Sequence, residues 1–271
     1  MLALGRAAPY AFFMRHFMIE EPYSSAAIWC RRLALFAIAV AAIGIGLTKL
    51  GLVDPLSGLA VLSAALLVAC VAGLFGFSAF VVIWRTGMRG TGVALGGLVL
   101  VAALLGLPAF LAFQAIRLPM QNDASTDLVD PPDFSRSSAS LAARGGHANG
   151  ELPQAWREAQ RKTWPDLQPI MLDLDISEAW PLVQATVAAL RWRVIERQAP
   201  GGRQGNARLE AIDYSLLLGF PDDITIRLRP AAGQTRVDIR SASRYGRHDF
   251  GVNPKRIAKF ATELQAQLDA R

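Results

Sequence analysis

The side chains best suited to chemistry are concentrated near the end of the chain. Asp222, Asp223, Arg227, Asp238, Arg240, Ser243, Arg244, His248, Asp249, Asn253 and Arg256 all fall between residues 222 and 256. Arginines beside the start of a helix make a site for phosphate or carboxylate, because guanidinium forks and free backbone N–H groups both point at an anion. Arg247 and Lys255 add positive charge, and Gly246 and Gly251 permit the tight turns such a loop needs. The expected site is therefore polar and anion-binding, at one end of a sheet. The competing expectation is that these groups satisfy one another. Arg227 and Asp238 would then be a cross-strand pair, Asp222 or Asp249 would cap backbone N–H groups, and Asn253 would only start a helix.

Other chemistries are less well supplied. His248 is the single histidine within residues 152–271, which excludes a histidine-rich metal site there. Asp222-Asp223 offers two oxygen ligands for a hard cation, but adjacent acids more often mark a turn. Ser241 and Ser243 lack a histidine partner, which argues against acyl transfer. No cofactor and no metal is implied, and no catalytic residue is assigned.

The elements that must hold these residues follow from periodicity. Ile170–Asp175 reads as a strand. Ser177 caps a helix running to about Arg191, with Trp180, Val183, Val187 and Leu190 on one face. Strands follow at Trp192–Arg197, Arg208–Leu216, Ile224–Arg229 and Thr235–Ser243, with a turn at Pro200-Gly201-Gly202 and a hairpin turn containing Gly233. That hairpin sets Arg227 opposite Asp238 on the solvent side. Asn253 and Pro254 open a last helix whose buried stripe is Ile257, Phe260, Ala261, Leu264 and Leu268. The order β-α-β-β-β-β-α predicts an α+β two-layer sandwich: an antiparallel sheet with its helices on one face, helix-grip-like, and a polar outer face.

Upstream lie three apolar runs, about 33–53, 56–84 and 92–116. Each has the ~20 residues a helix needs to cross a bilayer. The chain divides accordingly into an N-terminal cytoplasmic segment (1–32), a membrane anchor (33–116), a linker rich in Asp, Pro, Ser and Gly (117–151) and a soluble extracytoplasmic domain (152–271). Leu152–Lys162 is a short helix opening that domain. Gly92 and Gly96 form a GxxxG spacing, which with Gly44 and Gly46 suggests close helix packing.

Charge gives the orientation. Residues 1–117 hold eight Lys and Arg against three Asp and Glu, so the net charge of +6 comes mostly from the flanks of the apolar runs. This is a topology signal and not a nucleic-acid footprint. Arg6, Arg15, Arg31, Arg32, Arg85 and Arg89 fall on one side and Lys49 and Arg117 on the other, which predicts a cytoplasmic N-terminus and an outer C-terminal domain. The 24 arginines against 4 lysines fit a GC-rich bacterial genome. The expected location is a bacterial inner membrane with a periplasmic domain. The two cysteines, Cys30 and Cys70, precede the soluble domain, leaving it no disulfide or thiolate site.

Several segments resemble a known family. They are Thr126-Asp127 with Pro131-Pro132-Asp133-Phe134, Trp164-Pro165-Asp166-Leu167, Gly219-Phe220-Pro221-Asp222-Asp223, and above all Val237–Arg244 continuing through Gly246–Asn253 to Arg256-Ile257. Over residues 122–268 the chain resembles the bacterial and plastid family called domain of unknown function 1499, in which tyrosine is more usual than Trp164. The resemblance implies no activity, cofactor or catalytic residue. The expected function is a membrane-anchored binding or assembly module for an envelope protein or lipid. An alternative is a carrier of a lipid or apolar ligand in a pocket between sheet and helices, and a third is a hydrolase using Asp222, Asp223 and His248.

Overall fold

The structure is a computed structural model that describes residues 22–201 and 205–270. Most of the N-terminal segment, including Arg6 and Arg15, and the Gly202 end of the predicted turn lie outside the described residues. Three long helices come first: α1 (Ser25–Lys49), α2 (Pro55–Thr86) and α3 (Thr91–Arg117). All three are long and apolar enough to cross a membrane. The first begins eight residues before its apolar run, because helical geometry is indifferent to whether Trp29, Arg31 and Arg32 face lipid or headgroups. It stops at Lys49, where Gly51 adopts a left-handed φ of 70°. Asp54 then starts α2 by accepting the N–H groups of Leu56 and Ser57, both at 3.0 Å.

The remaining elements are β1 (Asp123–Ser125), α4 (Ser138–Ala143), α5 (Gln154–Thr163), β2 (Ile170–Leu172), α6 (Ile176–Ala189), β3 (Arg193–Gln198), β4 (Ala207–Tyr214), β5 (Pro221–Ala231), β6 (Gln234–Ser243) and α7 (Val252–Asp269). The predicted β-α-β-β-β-β-α order appears as β2 through α7. All strand pairs are antiparallel, in the order β1-β6-β5-β4-β3. The outer edge of β6 is shared end to end: β1 pairs with residues 240–242 and β2 with 235–237. The fold is α+β, as predicted. The β5–β6 hairpin closes through Ala232 and Gly233, both at positive φ, the turn whose twist matches that of the strands.

Alternation along the strands builds two unlike faces. Ile224, Ile226 and Leu228 of β5, with Val237 and Ile239 of β6 and Leu209 and Ala211 of β4, point to one face and are fully buried. There they meet Val183 and Val187 of α6 and Ile257, Phe260 and Leu264 of α7. Trp192 stacks on Phe260 with ring centres 5.8 Å apart.

The other face was expected to be open to water, and this is corrected. Residues 117–151 are not a free linker. Their β1 extends the sheet, and the stretch from Thr126 to Gly150 runs across the polar face. Ser125, Asp127, Ser135, Ser140 and Arg144 are all buried there. The linker reading failed because Asp, Ser and Pro are also what a segment needs to hydrogen-bond a charged sheet face.

Contacts divide the chain into two compact units. One combines the described residues up to Ile38 with Leu67–Ala102, and the other combines Ala39–Leu66 with Ala103–Arg271. In the first, Gly76 and Gly97 admit close helix approach: a Cβ on Gly97 would lie 2.5 Å from the Cys30 sulfur. In the second, a Cβ on Gly44 would lie 2.7 Å from Val61 Cγ1. Gly46, Gly92 and Gly96 meet nothing within 4 Å. The GxxxG pair is therefore not a packing seam among the described residues.

This architecture sets a boundary for autonomous folding. A fragment of residues 118–271 should unfold cooperatively in urea. A fragment of 152–271 lacks β1 and the cover of the polar face, leaving buried charges unpaired, and should be molten or insoluble. Equal cooperativity in the two would show that the 118–151 segment is dispensable.

Candidate functional site

The predicted polar residues do not form one site. Neighbouring residues on a strand point to opposite faces, so Asp222 and Asp223 are separated by the sheet itself. The side chains sort into three clusters on the covered face and one among the helices.

The largest cluster joins the β5–β6 hairpin to the covering segment. Asp238 is fully buried and receives Arg229 Nη2 at 2.7 Å, Arg236 Nε at 2.9 Å and Arg227 Nη2 at 3.1 Å. Asp127 binds the same three arginines through Oδ2, at 2.6 Å to Arg236, 3.0 Å to Arg229 and 3.4 Å to Arg227. Its Oδ1 accepts the N–H groups of Val129 and Asp130, both at 3.0 Å. Asp130 closes the network on Arg227 and Arg229 at 3.0 and 2.9 Å. Three carboxylates and three guanidiniums thus balance in charge. Burial tends to raise the Asp127 carboxyl, but the two N–H donors and Arg236 outweigh it and hold the group below its ordinary range. The predicted Arg227–Asp238 register is present. Its predicted exposure is not, because Asp127 and Asp130 come from the covering segment.

Further along the same face, buried Arg240 holds Asp123 at 2.7 Å and donates to the Gly150 carbonyl at 2.6 Å. Its guanidinium lies 5.1 Å from the centre of the Phe134 ring. Asp223 pairs with Arg244 at 2.7 Å and accepts Asn149 at 2.9 Å. A third group was missed from sequence. Glu210 pairs with Arg144 at 3.0 Å, and Ser140 Oγ lies 2.6 Å from Glu196 and 3.1 Å from Glu210. Burial pushes the Glu210 carboxyl above the usual range despite the Ser135 N–H and Arg144. The signal in sequence is the outward position of Glu196 and Glu210 on adjacent strands; their partners lie 56 to 75 residues away, beyond any local pattern.

On the helical face, Asp222 meets Arg256, which also holds Asp213 at 2.8 Å. Burial raises the Asp222 carboxyl against the pull of Arg256. Asn253 does not cap α7; Gly251 does, at φ 77°. Asn253 is instead a buried hub. Its Oδ1 accepts Ser241 Oγ and Arg256 Nη1, each at 2.7 Å, and its Nδ2 donates to Ser243 Oγ at 3.0 Å. The anion position at the start of α7 is filled by Asp249, whose two oxygens take the N–H groups of Gly251 and Asn253 at 2.9 and 3.0 Å. His248 stacks on Phe250, accepts the Phe250 N–H at Nδ1 (2.8 Å) and places Nε2 3.3 Å from the Leu118 carbonyl. With Nδ1 accepting, Nε2 carries the proton and donates, so the ring is a strut between this loop and the chain leaving α3.

The residues proposed as a hydrolytic trio therefore do not converge. Each acid has its own arginine, and the histidine hydrogen-bonds backbone. Among the described residues no three His, Cys, Asp or Glu side chains are grouped to hold a metal.

Among the described residues of this domain, an apolar groove of about 370 Å³ lies open between α7 and the Thr163–Ile170 segment. Trp164, Leu167, Ile170, Ile257, Ala258 and Ala261 line it, with Lys255 and Asp166 at its rim. Trp164 and Leu118 both abut Gly251, where a Cβ would lie 3.1 Å from Trp164 Cζ2 and 3.0 Å from Leu118 Cδ1. The groove wall thus shares a contact with the residue that immediately follows α3.

A model of the family described as "protein of unknown function (DUF1499)" matches residues 123–264. No curated protein matches the chain. The matched stretch starts at β1, which agrees with the covering segment being part of the domain.

The ionic network generates a stability prediction for the 118–271 fragment. Asp238→Ala and Asp238→Asn should each cost about 3–5 kcal/mol, since three partly buried arginines lose a shared carboxylate. Arg227→Ala should cost less, about 1–2 kcal/mol, because Arg229 and Arg236 still cover both acids. A double-mutant cycle by urea titration should show coupling above ~1 kcal/mol. Additive losses of a few tenths would mean the network contributes nothing as a unit.

Proposed function

Because the chain belongs to the DUF1499 family of proteins of unknown function, we propose its function from its geometry: a membrane-tethered binding module that takes an apolar ligand, the acyl portion of a lipid, in the groove beside α7. The observation that carries this is the groove itself. Its volume falls in the range of ligand sites, about 300–1,000 Å³, and its lining is largely aromatic and aliphatic. The polar alternatives have lost their supports. The charged sheet face is covered by the protein's own segment, and the start of α7 is occupied by the protein's own carboxylate. A ligand that needed either would have to displace buried ion pairs first.

The location of the groove fits a ligand drawn from the bilayer, since Leu118 next to its wall follows directly on α3. On this reading the module lies outside the cytoplasmic membrane, in the periplasm where the cell has two membranes. Arg31, Arg32, Arg85 and Arg89 at one end of the helices against Lys49 and Arg117 at the other support this orientation.

Two measurements test the reading. The 118–271 fragment should bind a lysophospholipid kept below its critical micelle concentration. Ala258→Trp, which fills the groove from an exposed position on α7, should weaken that binding about tenfold, as read by calorimetry. An unchanged affinity would reject the groove. Alkaline phosphatase fused after Arg117 should be active; a fluorescent green fluorescent protein fusion at the same point would reverse the orientation.

A further inference from the structure

Near the start of α3, Gly92 and Gly96 meet no other helix within 4 Å. Gly92 and Gly96 floor an open depression of about 580 Å³ whose walls carry Tyr23, Arg31 and Arg89. Two backbone hydrogen bonds bring Arg89 there: Ser24 N–H donates to its carbonyl at 2.9 Å, and its own N–H donates to Pro22 at 3.2 Å. The close approach at Gly97, where a Cβ would lie 3.0 Å from Arg31 N, brings Arg31 alongside. No acidic residue among the described ones lines the depression. Neither guanidinium has a hydrogen-bond or ion-pair partner among the described residues. This sets them apart from Arg144, Arg227, Arg229, Arg236, Arg240, Arg244 and Arg256, all of which are paired with carboxylates. Ser24 Oγ, fully buried, also has no partner among the described residues.

We propose that this depression binds the headgroup phosphate of an anionic phospholipid of the protein's own membrane. Arg31 stands two residues before the apolar run of α1 begins at Leu33, and Arg89 two residues before α3. Both therefore lie at headgroup depth, where basic pockets between helices capture acidic lipids. Two guanidinium forks match the oxygens of a phosphodiester, which a solvated ammonium would meet only as a point charge. Glycine at 92 leaves room for the headgroup. Glycine at 96, one turn deeper, leaves room for the start of the acyl chain along α3, which a free phosphate would not use.

The test uses the full-length protein in detergent, stripped of lipid, with native mass spectrometry reading bound phosphatidylglycerol against phosphatidylcholine. Arg31→Gln with Arg89→Gln should lower phosphatidylglycerol retention about tenfold, the loss of a two-pronged phosphate contact. Gly96→Leu should lower it comparably: it fills the floor, changes no charge and introduces a stronger helix former where nothing stands within 4 Å. Arg32→Gln with Arg85→Gln removes the same charge outside the depression and should leave retention unchanged. Equal loss in that control would reduce the effect to general charge and overturn the site. Full retention by Gly96→Leu would overturn it too. Competition by millimolar inorganic phosphate would reassign the depression to a free anion. Equal retention of phosphatidylcholine would remove the phosphate-charge basis altogether.

Discussion

Asp127 and Asp238 share three arginines, and the C-terminal domain depends on that sharing. Arg227, Arg229 and Arg236 stand on adjacent strands of one hairpin, close enough to repel one another. Asp238 alone cannot balance them. The missing charge arrives from Asp127 and Asp130, about a hundred residues earlier. Burying ions costs several kcal/mol apiece unless each is paired and hydrogen-bonded, so the face can be covered only when the covering segment is in register. An apolar face would accept many alternative covers; this one accepts the chain that places carboxylates opposite the arginines.

The same requirement accounts for where a ligand can bind. Repeated along the sheet, it gives Arg240 its Asp123, Arg244 its Asp223 and Arg144 its Glu210, and on the other face Arg256 its Asp222. The buried charges of this sheet are committed to one another and leave a ligand little to bind there. What the domain leaves unoccupied is the groove beside α7, where apolar side chains from a loop and a helix meet without filling the space between them. The raised carboxyls of Asp222 and Glu210 belong to this economy of pairing and are no sign of catalysis: each is pushed up by burial and faces its own arginine.

The apolar helices follow different rules. In hydrocarbon there is no gain from hiding apolar side chains, so close approach at small residues matters more. Gly76 and Gly97 provide it in one unit and Gly44 in the other. Gly92 and Gly96, in GxxxG spacing but with open surroundings, show that a motif in the chain is only a permission for contact. Whether a helix, a lipid or nothing takes it up depends on what stands opposite.

The sequence by itself determined the three apolar helices, the strand and helix order from β2 to α7, the apolar face of the sheet and the cross-strand register of Arg227 with Asp238. Each of these is written in local periodicity: twenty apolar residues, alternation by two, recurrence near 3.6. It also showed which residues carried charge. Only the tertiary structure decided what those charges meet. The reading of 117–151 as a linker, of Asn253 as a cap, and of Asp222, Asp223 and His248 as neighbours all failed on non-local partners. Asp127 reaches Arg236 across 109 positions and Arg240 reaches Asp123 across 117. No local pattern encodes such pairs, because a polar segment that will be buried against charge has the same composition as one that stays in water. Burial, which turns a solvated aspartate into a structural ion, is a property of the assembled sheet and its cover.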